Sequence, residues 1–358
     1  MSSRDRNLGV DWKRTAHSGS LIAVDIGLLR APHSLWVRRG IWFWRNLWLR
    51  LTLFNRITLS EIDCAAMTPN MTPKIITRDT LPDLGKGQGH KYYHGHALVL
   101  SGPPGHGGAA RLAARGALRV GAGLVTILCP LRAVFEHSTQ PNAIMIRGID
   151  GPTGFVEILE DVRVSSVCLG PGLGLTQITA EMVRVALKSQ KAAVLDADAL
   201  SRFERAPDTL FQQLHTRTVI TPHHGEFRRL FPDIAETLTS AADEGATESK
   251  IAAARAAAER AGCIVLLKGE ITVIAHPDGR CAVHMATQDR AAPWLATAGS
   301  GDVLSGFIVG LMARGVPPME AAEAGAWLHV ECARRFGPGL IADDLPDQLP
   351  GVLSDVLA

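Results

Sequence analysis

The stretch HALVLSGPPGHGGAARLAARGALRVGAGLVTILC, residues 96–129, contains the repeating unit from which the fold of this chain can be predicted. It begins with a short apolar run, 96–102, continues with an Ala-rich segment of helical periodicity, 107–123, and ends in a second apolar run, 124–129. Two apolar strands separated by a helix are typical of a parallel pair joined by a crossover connection. Because both runs are almost continuously apolar, we expect helices to cover both faces of their sheet.

The same alternation of apolar runs and helical segments continues along the chain. Further apolar runs, each followed by a turn or a helical pattern, lie at 165–174, 192–200, 218–227 and 263–279. Helical patterns follow near 302–315, 319–336 and 343–356. The sequence therefore predicts an α/β protein with a mostly parallel sheet between two layers of helices. The glycine-rich and acidic turns fall at the carboxyl ends of the predicted strands, where such sheets bind ligands.

Length and charge limit the classes of function. The chain has 358 residues, of which 46% are hydrophobic, so it can form a large buried core. Its net charge of +2 gives no reason to expect nucleic acid as a partner. Residues 1–66 carry ten Lys or Arg and five Asp or Glu, which leaves 27 and 30 for the slightly acidic remainder. The six cysteines are scattered without a C-x-x-C pair, which favours small buried hydrophobes in a reducing compartment.

The first seventy residues differ in composition from the rest. Five of the seven tryptophans precede residue 50, and WVRRGIWFWRNLWLRLTLF, 36–54, mixes Trp, Leu and Arg. This run could be an interfacial helix on anionic lipid, or a helix packed on another domain or partner. It could also be untranslated, because Met67 and Met71 are alternative starts. Membrane contact is the least favoured of the three interpretations, and SLIAVDIGL, 20–28, looks like a remnant of a lost upstream domain.

The domain prediction follows from these changes in composition. We expect an extension over 1–70, a linker rich in Pro, Gly and Thr over 71–89, and a catalytic domain over 90–358. No uncharged apolar run reaches 18 residues, and no early apolar run leads to a small-residue cleavage site. A cytoplasmic location is therefore predicted.

The run LATAGSGDVLSG, 295–306, places one acidic residue among glycines at the start of a predicted helix. Backbone amides at such a helix start attract phosphoryl oxygens, so Gly299, Ser300 and Gly301 are predicted to form an anion hole. Asp302 could be an ordinary helix cap. A carboxylate beside a bound phosphate can instead take the proton of an attacking hydroxyl, and we expect this role for Asp302.

Two other strand ends carry candidate ligands. Lys268 follows an apolar run and can reach a nucleotide phosphate, although Lys-Gly in a turn is more often a solvated corner. In TPHHGE, 221–226, His223 is a candidate substrate contact and Glu226 a candidate to lie near hydrated Mg²⁺. The alternative for this run is an ordinary helix N-terminus with an acidic first turn.

Small residues and two more acids complete the candidate pocket. The glycine loop 170–174 would let a planar ligand approach the backbone closely. Asp196 and Asp198 follow a strand, and we expect one to cap a helix and the other to face the site. Ala109 follows a glycine-rich turn and leaves room for a ligand or for helix packing. Their common placement at strand ends favours a single pocket.

Taken in order, several of these runs resemble the ADP/ATP-dependent NAD(P)H-hydrate dehydratases, a branch of the ribokinase-like superfamily. The resemblance extends from about Gly89 to Pro350 and depends on HKYYHGHALVLSG, GAARLAARGALRVGAGLVT, LGPGLG, VLDADAL, TPHHGE, LKGEIT and AGSGDVLSG. It implies a ribokinase-like three-layer α/β/α fold with a mostly parallel central sheet.

The resemblance also implies a hydro-lyase that repairs a damaged cofactor. Such an enzyme restores NAD(P)H from its (S)-hydrate while ADP, or ATP, gives up a phosphoryl group and Mg²⁺ offsets the phosphate charge. Asp302 would activate the added hydroxyl, and the hydrate would contact Ala109, Gly172, His223 and Asp302. The nucleotide would contact Lys268, Gly269, Glu270, Ile271, Thr272 and Gly301. A homodimer or homotetramer is expected.

The chain departs from the family pattern at two places and leaves two alternatives. His224 stands where the family usually has Pro, and the turn 101–108 has more Pro and His than expected. The segment before the catalytic domain is too short for the family's epimerase domain, so epimerase activity is expected to be absent. A ribokinase-like kinase of a vitamin precursor is the nearest alternative function. The second is an inactive module bound to a membrane or partner through its Trp/Arg segment.

Overall fold

The computed structural model describes residues 72–139, 143–238 and 245–358. The predictions about the Trp/Arg-rich run 36–54, the run 20–28 and Cys64 lie outside the described residues.

The described residues form one ten-stranded sheet. Its strands are β1 (Lys74–Ile75), β2 (His96–Leu100), β3 (Leu124–Pro130), β4 (Met145–Ile149), β5 (Val164–Leu169), β6 (Ala192–Leu195), β7 (Thr218–Ile220), β8 (Ile264–Leu267), β9 (Ile271–Ala275) and β10 (Cys281–Met285).

The strands alternate with helices, as the repeating unit 96–129 predicted. The α-helices are α1 (Gly108–Arg119), α2 (Val134–Ser138), α3 (Gly151–Leu159), α4 (Gln177–Lys188), α5 (Asp198–Ser201), α6 (Asp208–Phe211), α7 (His224–Leu230), α8 (Pro232–Ala235), α9 (Ala246–Ala261), α10 (Ser300–Ala313), α11 (Pro318–Phe336) and α12 (Leu345–Leu357). Short 3-10 turns lie at Arg78–Thr80, Lys91–His94, Leu131–Ala133, Gln288–Arg290, Pro293–Leu295 and Ala342–Asp344.

The order of the strands creates a switch point in the sheet. Across the sheet the order is β1-β10-β9-β8-β7-β6-β5-β2-β3-β4. The seven strands from β8 to β4 run parallel to one another, whereas β9 is antiparallel to both β8 and β10. Strand β2 lies between β3 and β5, so the direction of winding reverses between β2 and β5. Ligands of open α/β sheets bind at the carboxyl ends of the strands beside such a point.

Helices cover both faces of the sheet because successive strand residues point to opposite sides. In β2, Ala97 and Val99 belong to one apolar cluster, and Leu98 and Leu100 belong to another. The first cluster includes residues of α1, α10, α11 and α12, and the second includes residues of α3, α4, α7 and α9. The predicted three-layer α/β/α arrangement with a mostly parallel sheet is confirmed.

The helix that begins at the candidate site packs directly on α1. A methyl group at Gly306 would lie 2.2 Å from the Ala113 carbonyl oxygen, and one at Gly310 would lie 2.6 Å from the Ala117 carbonyl oxygen. These distances are too short for a side chain, so only glycine allows the two backbones to approach so closely. The close packing fixes α10 against α1.

The segment predicted as a linker, 71–89, contributes to the sheet. Strand β1 pairs in parallel with β10, and Ile76 and Leu84 are buried in the core. Arg314 donates hydrogen bonds to the carbonyls of Leu84 and Gly85. The prediction of a simple linker therefore differs from the structure, in which this segment adds a strand to the sheet and buries Ile76 and Leu84 in the core. The division into extension, linker and catalytic domain stays a prediction.

Two further observations concern the described residues only. None of their helices combines the length and the apolar composition that crossing a membrane requires. Their cysteines are free and buried, as predicted: Cys129, Cys168, Cys263, Cys281 and Cys332.

Candidate active site

Asp302 lies in the first turn of α10, at the carboxyl edge of the sheet. The helix follows Gly299, whose φ of +88° is the left-handed conformation that favours glycine. A methyl group at Gly299 would also lie 2.6 Å from Leu112 Cδ1. Burial, reinforced by the charge of Asp196, raises the pKa of Asp302 to about 7, while Lys268 acts in the opposite direction. The carboxyl group is therefore poised to exchange a proton near neutral pH.

Asp196 holds the groups around Asp302 in place. Its carboxylate is almost completely buried and accepts hydrogen bonds from Lys268 Nζ and Ser305 Oγ, each at 2.8 Å. It also accepts from the Ala197 amide at 2.9 Å. Ser305 lies one turn after Asp302 on α10, so this network ties the end of β6 to the start of α10. Of the two acids in LDADAL, Asp196 is the one that faces the site.

Lys268 lies at the end of β8 in the same network. Burial disfavours its charge, but Asp196, Glu226 and Asp302 outweigh burial, so the pKa of Lys268 is raised above its usual value. A methyl group at Gly301 would lie 3.5 Å from Lys268 Nζ. The ammonium group therefore lies beside the amide-rich start of α10, where a phosphate would bind.

The turn between β8 and β9 is held from beneath by a second lysine. Lys250 Nζ, on α9, donates to the carbonyls of Lys268 and Ile271 at 3.1 and 2.5 Å. Gly269 in this turn has a φ of +154°. Burial lowers the pKa of Lys250 to about 8, and the two carbonyls satisfy its donors.

A cavity of about 560 Å³, here called the nucleotide cavity, lies beside this turn. Its lining includes five of the six residues predicted to bind the nucleotide, namely Lys268, Gly269, Glu270, Thr272 and Gly301. Ser300, predicted for the anion hole, also lines it. Ile271 is not part of the lining, because its side chain packs against the core. The volume is within the range of about 300–1,000 Å³ that is typical of small-molecule sites.

His329 on α11 also lines the nucleotide cavity. Its Nε2 donates a hydrogen bond to the Ser300 carbonyl at 2.8 Å. Burial lowers the pKa of His329 to about 4, so the ring is neutral at physiological pH. The hydrogen bond from the neutral His329 ring therefore holds Ser300, the first residue of α10, against α11.

His223 and Glu226 form the start of α7. His223 Nδ1 accepts hydrogen bonds from the amides of Gly225 and Glu226, and Glu226 Oε2 accepts from the His223 amide at 2.9 Å. This is a reciprocal capping box, so the structural alternative considered from the sequence is present. The imidazole is exposed, the Glu226 side chain is buried, and His223 Nε2 lies 3.7 Å from Glu226 Oε1. The Lys268 amide donates to the Pro222 carbonyl, which joins this corner to β8.

The glycine loop after β5 closes the other side of the site. Asp198 accepts a hydrogen bond from the Gly174 amide at 2.7 Å, so its carboxylate anchors the loop. A methyl group at Gly172 would lie 3.7 Å from Ala109 Cβ, which places Gly172 and Ala109 side by side. The charge of Asp198 contributes to the raised pKa of Asp302, so this loop and the start of α10 belong to one electrostatic environment.

The described residues offer few side chains that could together coordinate a metal ion. Among the described residues no group of three or more His, Cys, Asp or Glu could hold a metal ion. A protein of this kind can still use Mg²⁺, because this ion commonly binds substrate phosphates and waters with one or two carboxylates. The buried acids Asp196 and Glu226 are compatible with such a phosphate-borne ion.

Some contributors to the site could not be found from the sequence. His329, Ser305 and Lys250 lie inside Ala-rich or apolar helical patterns, which give no signal beyond helix formation. Their roles depend on partners 18 or more residues away for Lys250, 29 for His329 and 109 for Ser305. Only the assembled sheet brings these partners together.

Comparison with known proteins places this geometry in a family. Residues 97–349 match the Carb_kinase family model, described as NAD(P)H-hydrate dehydratase. A bifunctional NAD(P)H-hydrate repair enzyme of Salinibacter ruber is 36% identical over 281 residues, covering 74% of this chain and 49% of the relative. The ADP-dependent (S)-NAD(P)H-hydrate dehydratase of Xanthomonas campestris is 33% identical over 298 residues, covering 79% and 95%. The chain thus spans about half the length of the bifunctional relatives that it matches.

Solved structures show the same fold. The ADP/ATP-dependent NAD(P)H-hydrate dehydratase of Bacillus subtilis, co-crystallized with ATP and Mg²⁺, superposes with a TM-score of 0.63 at 26% identity. The match covers 80% of this chain and 99% of that one. A ribokinase-like superfamily protein of Enterococcus faecalis gives a TM-score of 0.65 at 20% identity, covering 79% and 96%. The predicted ribokinase-like fold is confirmed.

Proposed function

The chain belongs to the NAD(P)H-hydrate dehydratase family, and from this premise we propose that it converts (S)-NAD(P)H hydrate back to NAD(P)H. ADP would be converted to AMP and phosphate in the same reaction. One observation carries the proposal: a half-buried acid with a pKa of about 7, Asp302, lies at the amide-rich start of α10. The nucleotide cavity lies on one side of this position, and the glycine loop held by Asp198 belongs to the other.

The nucleotide would place its terminal phosphate at the start of α10. Amides at a helix N-terminus stabilise phosphoryl oxygens, and Gly299 to Gly301 have no bulky side chain to block their approach. Lys268 lies close enough to Gly301 to share this phosphate. In the free protein Lys268 is paired with Asp196, which keeps the buried ammonium compensated until a phosphate arrives.

Asp302 would act as the base in phosphoryl transfer. As the hydroxyl of the hydrate attacks the terminal phosphorus, Asp302 accepts the hydroxyl proton and the bond from phosphorus to the bridging oxygen breaks, releasing AMP. The carbon–oxygen bond that joins the phosphorylated hydroxyl to the ring then breaks, and its electrons leave with phosphate. Loss of a proton from the neighbouring carbon restores the ring double bond.

Mg²⁺ fits this scheme as an ion carried by the nucleotide. It supplies charge that offsets the phosphate oxygens. Glu226 stays our candidate for a contact through water, and the assignment of Ala109, Gly172 and His223 to the hydrate is likewise a proposal. We further propose a cytoplasmic location and a homodimer or homotetramer.

The reaction can be tested directly. Purified protein is incubated with NADH hydrate, ADP and Mg²⁺, and the absorbance of restored NADH is followed, with a reaction lacking nucleotide as the control. Recovery that requires ADP or ATP supports the proposal. Absence of recovery with either nucleotide, together with phosphorylation of a vitamin alcohol such as hydroxyethylthiazole, would instead identify the kinase alternative.

The role of Asp302 can be separated from simple helix capping. Asp302→Asn keeps the shape of the side chain but cannot accept the proton, so we expect kcat to fall by about 10²–10⁴-fold. Calorimetric affinity for ADP should change only a few-fold. The exposed Asp79→Asn is the matched control and should leave both values unchanged. Turnover at the level of the unaltered protein in Asp302→Asn would mean that Asp302 is a cap and nothing more.

A further inference from the structure

A second cavity lies beside the switch point, and of its lining residues only Gly172 has been assigned a role above. It has a volume of about 510 Å³ and is lined by the loops after β2, β3, β4 and β5 and by the first turns of α4. We call it the switch-point cavity. Its volume suits a small molecule, and its position is the one that open α/β sheets use for nucleotides.

The walls of the switch-point cavity are mostly apolar. Leu100, Leu128 and Ile149, at the ends of three neighbouring strands, form part of its lining. Leu131 and Ile178 also line it, yet their side chains are 65% and 56% exposed. Large apolar side chains left in solvent at the mouth of a cavity are suited to cover the faces of a planar ring.

Two unpaired charges of opposite sign complete the lining. Arg132 follows β3 and Asp150 follows β4, and both are exposed. Within the described residues neither side chain forms a hydrogen bond or an ion pair. A carboxylate in this position can accept hydrogen bonds from ribose hydroxyls, and a guanidinium can pair with a phosphate.

The switch-point cavity adjoins the residues assigned to the hydrate. Gly172 lines the cavity and also lies beside Ala109. A substrate whose nicotinamide ring lay over Gly172 and Ala109 could therefore extend its remaining half into the cavity. The nucleotide cavity is formed by a different part of the chain: the turn between β8 and β9, the loop after β10, and helices α10 and α11.

The wall nearest the hydrate pocket is held by α2. Glu136 accepts hydrogen bonds from the amides of Gly105 and Gly107 at 2.6 and 3.2 Å. His137 shares a 2.9 Å hydrogen bond with Ser101. These contacts hold the turn 101–108, one of the two departures from the family pattern, in place without a ligand, which lowers the entropy cost of binding.

We propose that the switch-point cavity binds the adenosine half of the NAD(P)H hydrate. Leu131 and Ile178 would cover the purine, Asp150 would accept from the ribose hydroxyls, and Arg132 would pair with the 2′-phosphate of the NADPH form. This inference rests on the proposed function and adds the location of the non-reacting half of the substrate. It makes Arg132 and Asp150 the residues that set the preference between the two hydrates.

The test compares a full substrate with a truncated one. The hydrate of reduced nicotinamide mononucleotide lacks the adenosine half but retains the reacting hydroxyl. We expect Ile178→Glu to raise KM for NADH hydrate at least about tenfold, since the charge replaces an apolar contact with the purine. KM for the truncated hydrate and for ADP should stay unchanged. Val156→Glu, exposed on α3 outside the cavity, is the matched control.

The two charged residues provide a second, crossed comparison. Arg132→Ala should raise KM for NADPH hydrate about tenfold or more relative to NADH hydrate, because a charge-assisted hydrogen bond is lost. Asp150→Ala should raise KM for NADH hydrate and leave the truncated substrate unaffected. Equal effects of Ile178→Glu on full and truncated hydrates, or no effect on either, would overturn the proposal.

A binding measurement separates this inference from the proposed function. With the nucleotide cavity saturated by ADP, calorimetric binding of NADPH reports on the remaining pocket. Binding that is weakened at least about tenfold by Ile178→Glu and Arg132→Ala supports the cavity even in a protein without turnover. Turnover of NADH hydrate without these losses would leave the proposed function standing and exclude the adenosine site.

Discussion

At the scale of single residues, the surroundings of Asp302 act in opposite directions on the charge of its carboxyl group. Its place at the start of α10 favours a negative charge, because helix amides point toward it. Burial and the neighbouring carboxylates Asp196 and Asp198 disfavour that charge, and Lys268 only partly compensates. The result is a pKa of about 7 in place of the ordinary 3.8. A pKa close to the working pH suits a catalytic base, because the group can both accept a proton and release it again.

The pH dependence of turnover follows from this pKa. If Asp302 is the base, kcat should rise with pH as the carboxyl group loses its proton near pH 7 and should level off above it. The measurement is NADH recovery between pH 5.5 and 9, an interval of about two pKa units below and above the expected midpoint. A residual rate in Asp302→Asn should lack this step. A profile of the unaltered enzyme that is flat through pH 7 would contradict the assignment.

The same pKa predicts how stability changes with pH. The folded protein holds the Asp302 proton more tightly than the unfolded chain, so this group's contribution is fully present below about pH 4 and is lost as pH rises to about 7. Asp302→Asn should therefore gain stability relative to the unaltered protein between these values, by an amount on the order of 1 kcal/mol or more. Denaturant unfolding at pH 5 and pH 8 would measure it. An unchanged difference would contradict the raised pKa.

At the scale of elements, α2 orders the loop that follows β2. Glu136 accepts hydrogen bonds from two backbone amides of the loop and forms an ion pair with Arg111 of α1 at 3.1 Å. The Gly105 amide, followed by smaller effects of Arg111 and Gly107, keeps the pKa of Glu136 below its usual value. The short helix α2 thus joins the loop to the start of α1, where Ala109 lies.

Weakening this contact should act on the hydrate and not on the nucleotide. Glu136→Gln removes the charge from two amide hydrogen bonds, so we expect KM for NADH hydrate to rise several-fold, with KM for ADP unchanged. Steady-state kinetics with each substrate varied in turn measure this split. Glu157→Gln, exposed on α3, serves as the control. A rise in both KM values would indicate a general structural effect instead.

The contact between α1 and α10 depends on glycines of α10, which have no side chain to separate the two backbones. Gly306→Ala would place a methyl group 2.2 Å from the Ala113 carbonyl oxygen, so the two helices must separate. We expect unfolding in denaturant to show a loss of about 1–3 kcal/mol. Gly154→Ala, on α3, meets atoms only at 3.5 Å or beyond and should be neutral or slightly stabilising. Equal stability of the two variants would contradict the close packing.

At the scale of the whole molecule, one sheet supports both cavities. The nucleotide cavity lies near β8 and β9, and the switch-point cavity lies at the ends of β2, β3 and β4. The helix that carries Asp302, α10, packs on β5 and β6, which lie between the strands of the two cavities. If each cavity holds one substrate as proposed, the sheet would keep the two in a fixed relation, which a reaction between two substrates requires.

This arrangement predicts that the first seventy residues are dispensable for turnover. All ten strands and both cavities lie within the described residues, which begin at 72. A chain beginning at Met71 should therefore retain NADH recovery within about twofold, since no side chain of the site is removed. Activity and thermal unfolding of the two chains, compared at equal concentration, provide the measurement. Loss of turnover with unchanged unfolding would assign the extension a direct role in the reaction.

The alternation of apolar and helical runs was enough to predict the elements, and the motifs were enough to name a candidate reacting group. Strand and helix periodicity predicted the layers of the fold, because burial on both faces requires continuous apolar strands. The glycines around Asp302 predicted an anion site, because backbone amides at a helix start can converge on phosphoryl oxygens. Most of the proposed nucleotide contacts were local in the chain, as in LKGEIT, and could be recognised from their motifs.

The pKa of Asp302 and the side chains around it depend on contacts that form only in the folded chain. Asp196 meets Ser305 across 109 residues, and His329 meets Ser300 across 29. Arg132 and Asp150 share a cavity because β3 and β4 are neighbours in the sheet. A pKa depends on burial and on charges brought together in space, and neither quantity is encoded in the spacing of residues along a chain.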